Sequence, residues 1–167
     1  MAAKLRTLED MYVDLLKDLY SAEKQLVKAL PKLAKAAQAS DLTKAFQDHE
    51  RQTEEHVDRI ERIFSDMSGS PRGKKCVGMQ GIIEEGSELI KEKGDPDAMD
   101  AGLIAAAQKA EHYEIASYGT ARTWAQRLGY DKAARLLQQT LDEEGATNKK
   151  LTEIAESHVN MEAQAGR

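Results

Sequence analysis

Four stretches of the chain set a carboxylate or an imidazole inside an otherwise apolar helical stripe. Glu23 lies among Leu15, Leu19, Leu26 and Leu30, and His49, Thr53 and His56 lie among Phe46, Ile60 and Ile63. Glu111 and Glu114 fall between Ala107 and Ala121, and Glu144 falls between Leu137 or Leu141 and Leu151. A charged group on the buried face of a helix is costly unless it is paired or metal-bound. Four packed helices bring such mid-helix groups to one level. That is the plan of a carboxylate-bridged dimetal centre inside a four-helix bundle.

The donor types suit that chemistry. Carboxylate oxygens serve hard or borderline divalent metals, and imidazole suits iron, zinc and copper. The standard dimetal bundle takes one Glu from each of two helices and Glu-x-x-His from each of the other two. Glu23 serves the first helix, the i, i+3 pair Glu111 and Glu114 the third, and Glu144 the fourth, with Glu143 beside it at the stripe's edge. The second helix offers His49 and His56, two turns apart on one face, with Gln52 adjacent as a weak supporting group. Thr53 stands where a Glu-x-x-His would put its Glu, and Thr147 where it would put its His, so neither motif is complete. Each residue alone has a plainer reading: a Glu at a groove edge making an ion pair, or a hydrogen-bonded core histidine. The joint occurrence at matched depth on four helices favours metal. Tyr20 and Tyr118 flank the set and are candidates to hydrogen-bond a ligand carboxylate. His112 and His158 read as surface residues.

The elements that must position these groups follow from apolar periodicity and its punctuation. The first helix is predicted over about 5–39, with a kink near 27–31 because Pro31 lacks an N–H. The second is predicted over about 42–67, capped by Ser40 or Asp41. Residues 68–80 carry Gly69, Pro71, Gly73 and Gly78, a turn-rich stretch. A short amphipathic helix is predicted over about 81–93, with Ile82, Ile83, Leu89 and Ile90 on its apolar side. The third long helix is predicted over about 98–128, with Gly129 after its end, and the fourth over about 132–159, capped by Asp131. The tail from 160 is expected to fray. The second half partly echoes the first at an offset of 91: Glu23 with Glu114, Ile60 with Leu151, Ile63 with Ile154. Two helical hairpins joined by a long crossover give a bundle in which the second and third long helices run parallel.

Composition bounds the rest. The 167 residues suffice for one domain over 1–167 with a substantial core. Aromatics are only 5% and charged residues 32%, which favours helices and argues against disorder. The net charge of −5, with both signs interspersed, needs no basic face to explain it, so no nucleic-acid partner is expected. Cys76 is the sole cysteine, so no intrachain disulfide is possible and a reducing cytoplasm suits the chain. No signal-peptide core or membrane-length apolar stretch is present, so no membrane partner is expected. There is no nucleophile motif, phosphate loop or dinucleotide fingerprint.

The chain resembles the YciF/YciE-type bacterial stress proteins. The resemblance covers roughly residues 6–160. It rests on Asp18-Leu-Tyr-Ser-Ala-Glu-Lys-Gln-Leu26, on Lys75-Cys-Val-Gly-Met79, on Ala105-Ala-Ala-Gln-Lys-Ala-Glu-His-Tyr-Glu-Ile-Ala-Ser-Tyr-Gly119 and on Leu141-Asp-Glu-Glu144. It implies an all-α, ferritin-like four-helix bundle with a short extra helix in the crossover, a cytoplasmic homodimer, and expression under osmotic or oxidative stress. It also implies a dinuclear site of two divalent metal ions, iron first and manganese or zinc as alternatives, held by Glu23, His49, Glu111, Glu114 and Glu144. His56 is not a fixed part of the family pattern. Gln52 and Asn148 stand where relatives are expected to carry Glu and Asp.

Two functions of different class follow. The first is a redox protein or metal handler acting on peroxide or dioxygen. It would need an external reductant, because no rubredoxin-like cysteine cluster is present. The second is a dimeric structural or interaction protein whose site is vestigial.

Overall fold

The computed structural model describes residues 5–92 and 94–165. Its elements in chain order are α1 (Leu8–Ala36), α2 (Ser40–Asp66), α3 (Val77–Lys91), α4 (Pro96–Arg127), α5 (Asp131–Ile154), a π-helical turn (Ala155–Val159) and α6 (Asn160–Ala165). No strand occurs among the described residues.

The chain enters α1 through a capping box. Thr7 Oγ1 accepts the Asp10 N–H at 3.0 Å and Asp10 Oδ2 accepts the Thr7 N–H at 3.0 Å, satisfying donors that the first turn leaves over. The helix is continuous through Pro31, whose ring sits on the exposed side, where the one missing N–H is tolerated.

Neither Ser40 nor Asp41 caps α2. The cap position is Ala39, and its side chain offers nothing. The work passes to Asp100, a buried residue of α4. Its carboxylate accepts the N–H of Gln38 at 2.9 Å and of Ala39 at 2.7 Å, so a residue 61 positions away closes the α1–α2 turn. Asp131 likewise lies inside the first turn of α5 rather than at its cap, which is Tyr130. Gly129 does take the left-handed conformation (φ 78°) that ends α4.

The crossover helix starts at Val77, four residues before the predicted 81. Cys76 Sγ caps it by accepting the Met79 N–H at 3.3 Å. Gly78 is placed inside it because a Cβ there would meet the Tyr113 ring at 2.8 Å. The expected fraying after residue 160 is also corrected: the chain stays helical to Ala165, beyond a π turn that keeps Val159 buried.

Side-chain pairs fix the topology. Glu9 meets Tyr130 and Gln38 meets Asp100, so α1 and α4 are antiparallel. Asp41 meets His158 and Arg59 meets Thr140, so α2 and α5 are antiparallel. With α1 and α2 joined as a hairpin, α2 and α4 run parallel, and α3 packs against α1 and α4.

The apolar core comes in two layers. One gathers Leu26, Leu30, Phe46, Leu103, Leu151 and Ile154; the other gathers Tyr12, Leu16, Ile60, Phe64, Tyr118 and Leu137. Each fully buried side chain of this size contributes about 1.5–3 kcal/mol. Every long helix passes through both layers. Between them lie Glu23, His49, Thr53, His56, Glu111, Glu114, Thr140 and Glu144, all buried.

Candidate metal centre

That intervening layer is built by periodicity. Each helix continues its apolar stripe on either side and spends one or two turns on polar groups at the same depth. α1 supplies Glu23, α2 supplies His49 and His56, α4 supplies Glu111 and Glu114, and α5 supplies Glu144. All six are at most 3% exposed.

The donors fall into two groups that share Glu144. His49, Glu111, Glu114 and Glu144 each offer one atom within 4.8 Å of the others, and so do Glu23, His56 and Glu144. His49 Nε2 lies 3.1 Å from Glu111 Oε1 and 3.7 Å from Glu144 Oε2. His56 Nδ1 lies 2.9 Å from Glu144 Oε1 and 3.4 Å from Glu23 Oε1. Glu144 thus turns one oxygen toward each half. The five expected ligands are brought together, and His56 joins them.

None of these close approaches has hydrogen-bond geometry. His49 Nε2, His56 Nδ1, Glu23 Oε2, Glu111 Oε2 and both oxygens of Glu114 and of Glu144 are buried without a hydrogen-bond partner among the described residues. Native interiors leave few polar atoms in that state, each at a cost of about 1–3 kcal/mol. Here eight such atoms converge on one layer, as they would around cations.

The electrostatics carry the same conflict. Burial pushes the Glu114 carboxyl well above the usual range, and the neighbouring Glu144, Glu23 and Glu111 push it further. Burial also raises Glu144, to about 8, although His56 and His49 pull it down. Burial opposes the cation on His49, yet Glu111 outweighs it and the pKa rises to about 9. For His56 burial is again overcome, here chiefly by Glu23 and Glu144, and the pKa rises to about 11. Without cations the layer therefore holds extra protons on Glu114, Glu144, His49 and His56.

The donor set fits a pair of divalent cations. The standard dimetal bundle offers four Glu and two His. This chain offers the same inventory with a different distribution: both histidines lie on α2 at i, i+7, and α4 carries two glutamates at i, i+3. The absent Glu-x-x-His motifs therefore leave the number of donor side chains unchanged.

Other groups sort clearly. The Tyr118 hydroxyl donates to Glu23 Oε1 within the layer. Tyr20 instead donates to Glu61 at 2.8 Å, away from it. Thr53 Oγ1 donates to the His49 carbonyl of its own helix at 2.8 Å, which explains a threonine at that depth. Thr147 and Gln52 lie beside the outer nitrogen of His49, at 3.3 and 3.4 Å. Asn148 accepts from Gln108 at 3.1 Å instead of joining the cluster. His112 is exposed, and His158 lies 2.9 Å from Asp41.

Arg59 was not legible as part of the site. It is 7% exposed and grips Glu143 with both arms, Nη1 to Oε2 at 2.6 Å and Nη2 to Oε1 at 2.9 Å. The only sequence signal was its spacing, one turn after His56.

Comparison with known proteins places these features. The model of a family described as a domain of unknown function (DUF892) matches residues 7–164. Protein YciF of Escherichia coli strain K12 is 49% identical over 161 residues, 96% of this chain and 97% of that protein. The crystal structure of that E. coli stress protein gives a TM-score of 0.90 and covers 93% of this chain and 99% of its own. YcfI of Rhodopseudomonas palustris, which carries a provisional description as a structural protein, is 38% identical with a TM-score of 0.87, covering 91% and 97%. The dodecameric thioferritin related to bacterioferritin from Bacteroides fragilis shares the fold at 15% identity, with a TM-score of 0.71 over 95% and 91%. The fold is therefore a ferritin-like helical bundle, as the resemblance implied.

Proposed function

This chain belongs to the DUF892 family, with YciF among its relatives, and from that premise we propose that it binds two divalent cations in its buried carboxylate–histidine layer. The observation that carries the reading is the set of eight buried ligand atoms without hydrogen-bond partners. Glu111, Glu114 and His49 would hold one cation and Glu23 and His56 the other, with Glu144, which turns one oxygen toward each group, available to both.

Iron is the first choice of metal, with manganese or zinc as alternatives, because the set mixes carboxylates and imidazoles. When bound, a di-iron pair supplies redox chemistry toward peroxide or dioxygen. The chain's own residues provide the rest. Tyr118 holds Glu23 through its hydroxyl. The two apolar layers exclude bulk water and keep the carboxylates in a low dielectric. The lone Cys76 cannot form an internal electron chain, so turnover takes an external reductant. A cytoplasmic homodimer working under stress completes the proposal.

A second reading has an observation of its own. The layer can neutralise itself with protons on Glu114, His49 and His56, as the raised pKa values indicate. On this reading the protein is a structural or interaction protein, in line with the description of the R. palustris relative.

Thermal unfolding with and without Fe²⁺ or Mn²⁺, under anaerobic conditions, separates the two. A cation that binds only the native state raises the wild-type melting temperature, by about 2.7 kcal/mol of stability at a hundredfold excess over Kd. Glu114→Ala is expected to lose that shift and, without metal, to melt no lower than wild type, because a crowded buried acid is gone. Metal counting should give two ions per chain. A wild type that shows no metal-dependent shift establishes the structural reading instead.

A further inference from the structure

His56 has two ring nitrogens in different surroundings. Nδ1 faces Glu144 and Glu23 in the donor layer and has no hydrogen-bond partner. Nε2 lies 2.9 Å from Glu143 Oε2 with hydrogen-bond geometry. Glu143 is not free to turn. Arg59 holds both of its oxygens, and Arg59 is itself anchored by Thr140 Oγ1 at 3.0 Å and Glu55 Oε2 at 3.2 Å. An ionised carboxylate clamped by a guanidinium only accepts, so Nε2 must carry the proton it donates.

We propose that Glu143, held by Arg59, is a positioning residue that fixes the tautomer of His56, so that its Nδ1 lone pair serves the second cation position. The inference rests on the metal-binding reading above and concerns one half of the site. Among the described residues the other position has no comparable clamp: the outer nitrogen of His49 meets the neutral Gln52 and Thr147, at 3.4 and 3.3 Å. The clamp therefore acts on the two positions unequally. Loss of an outer partner of a ligating histidine typically weakens metal affinity 10- to 100-fold. Here that loss falls on the second ion and spares the first.

The experiment is a Zn²⁺ titration of the full chain, comparing wild type, Glu143→Leu and Glu143→Gln. The wild type should bind two ions. Glu143→Leu should bind the first as tightly as wild type and the second about 10- to 100-fold more weakly. Glu143→Gln keeps a carbonyl that accepts from Nε2, and should recover much of that loss. A purely structural role for Glu143 would weaken both ions alike. Histidine side-chain ¹⁵N spectra of the zinc-loaded wild type should show His56 protonated on Nε2 and metal-bound through Nδ1, a reading that stands even where Glu143→Leu fails to fold. The inference is overturned if Glu143→Leu binds both ions like wild type, if both ions weaken equally, or if His56 carries its proton on Nδ1. A wild type that binds one ion and leaves His56 free also overturns it, while the metal-binding reading survives. A wild type that binds no ion ends both.

Discussion

Glu114 shows at the scale of one residue how the site's charge is balanced. It is fully buried, and neither of its oxygens has a partner. With Glu114 and Glu144 raised above 4.5, and His49 and His56 raised from 6.5 to about 9 and 11, the metal-free native state holds more protons than the unfolded chain. The histidine contribution is complete below 6.5 and is lost as pH climbs through 9 and then 11. The carboxyl groups act in the same direction, since a raised carboxyl costs stability once pH passes 4.5. Metal-free protein should therefore lose stability between about pH 6 and pH 9, at up to ~1.4 kcal/mol per pH unit for each excess proton. Cations bound as proposed would compete with those protons, so metal-linked stabilisation should rise over the same window. Melting temperatures measured with chelator and with Mn²⁺ should diverge as pH increases. Parallel curves would mean that these groups do not hold the cation.

Long helices were legible as elements because apolar spacing survives any tertiary context, and their ends moved by only a few residues. What escaped were features supplied from elsewhere in the chain. Ser40 and Asp131 are good caps by type, yet Asp100 closes one turn from across the bundle and Tyr130 occupies the other cap position. Gly78 read as a turn signal, yet it lies within α3 because Tyr113 needs the space. Glu23, His49, Glu111, Glu114 and Glu144 stood out from their apolar neighbours, whereas the role of Arg59 depended on a partner 84 positions away. Two substitutions test the long-range devices. Asp100→Ala should cost about 1–3 kcal/mol, because the backbone donors of Gln38 and Ala39 lose a charged acceptor. Urea denaturation should show a lower midpoint with an unchanged slope. Gly78→Ala should cost about 1–3 kcal/mol by pushing back the Tyr113 ring. That ring is tied down: its hydroxyl donates to Asp18 Oδ2 at 2.5 Å and lies 3.0 Å from Cys76 Sγ. A Gly78→Ala protein as stable as wild type would show that the ring moves freely.

The whole molecule is a stack in which a polar layer separates two apolar ones, and all four long helices cross it. Hydrophobic contact alone tolerates sliding, since a leucine displaced by one turn finds another leucine. The ionisable layer does not. A helix shifted by a turn would bury Glu23 or Glu144 against aliphatic side chains, away from any imidazole or cation, at several kcal/mol. The layer therefore works as an alignment key, giving up stability to forbid mis-stacked bundles, as a single polar position does in coiled coils. Replacing Glu23, His49, His56, Glu111, Glu114 and Glu144 together with apolar residues of similar size should give a protein that is harder to melt but less uniquely packed. Amide and methyl spectra should show broadened or doubled resonances in both apolar layers. A key of this kind cuts both ways: whatever fills the layer with charge also clasps the two halves of the core into one cooperative body.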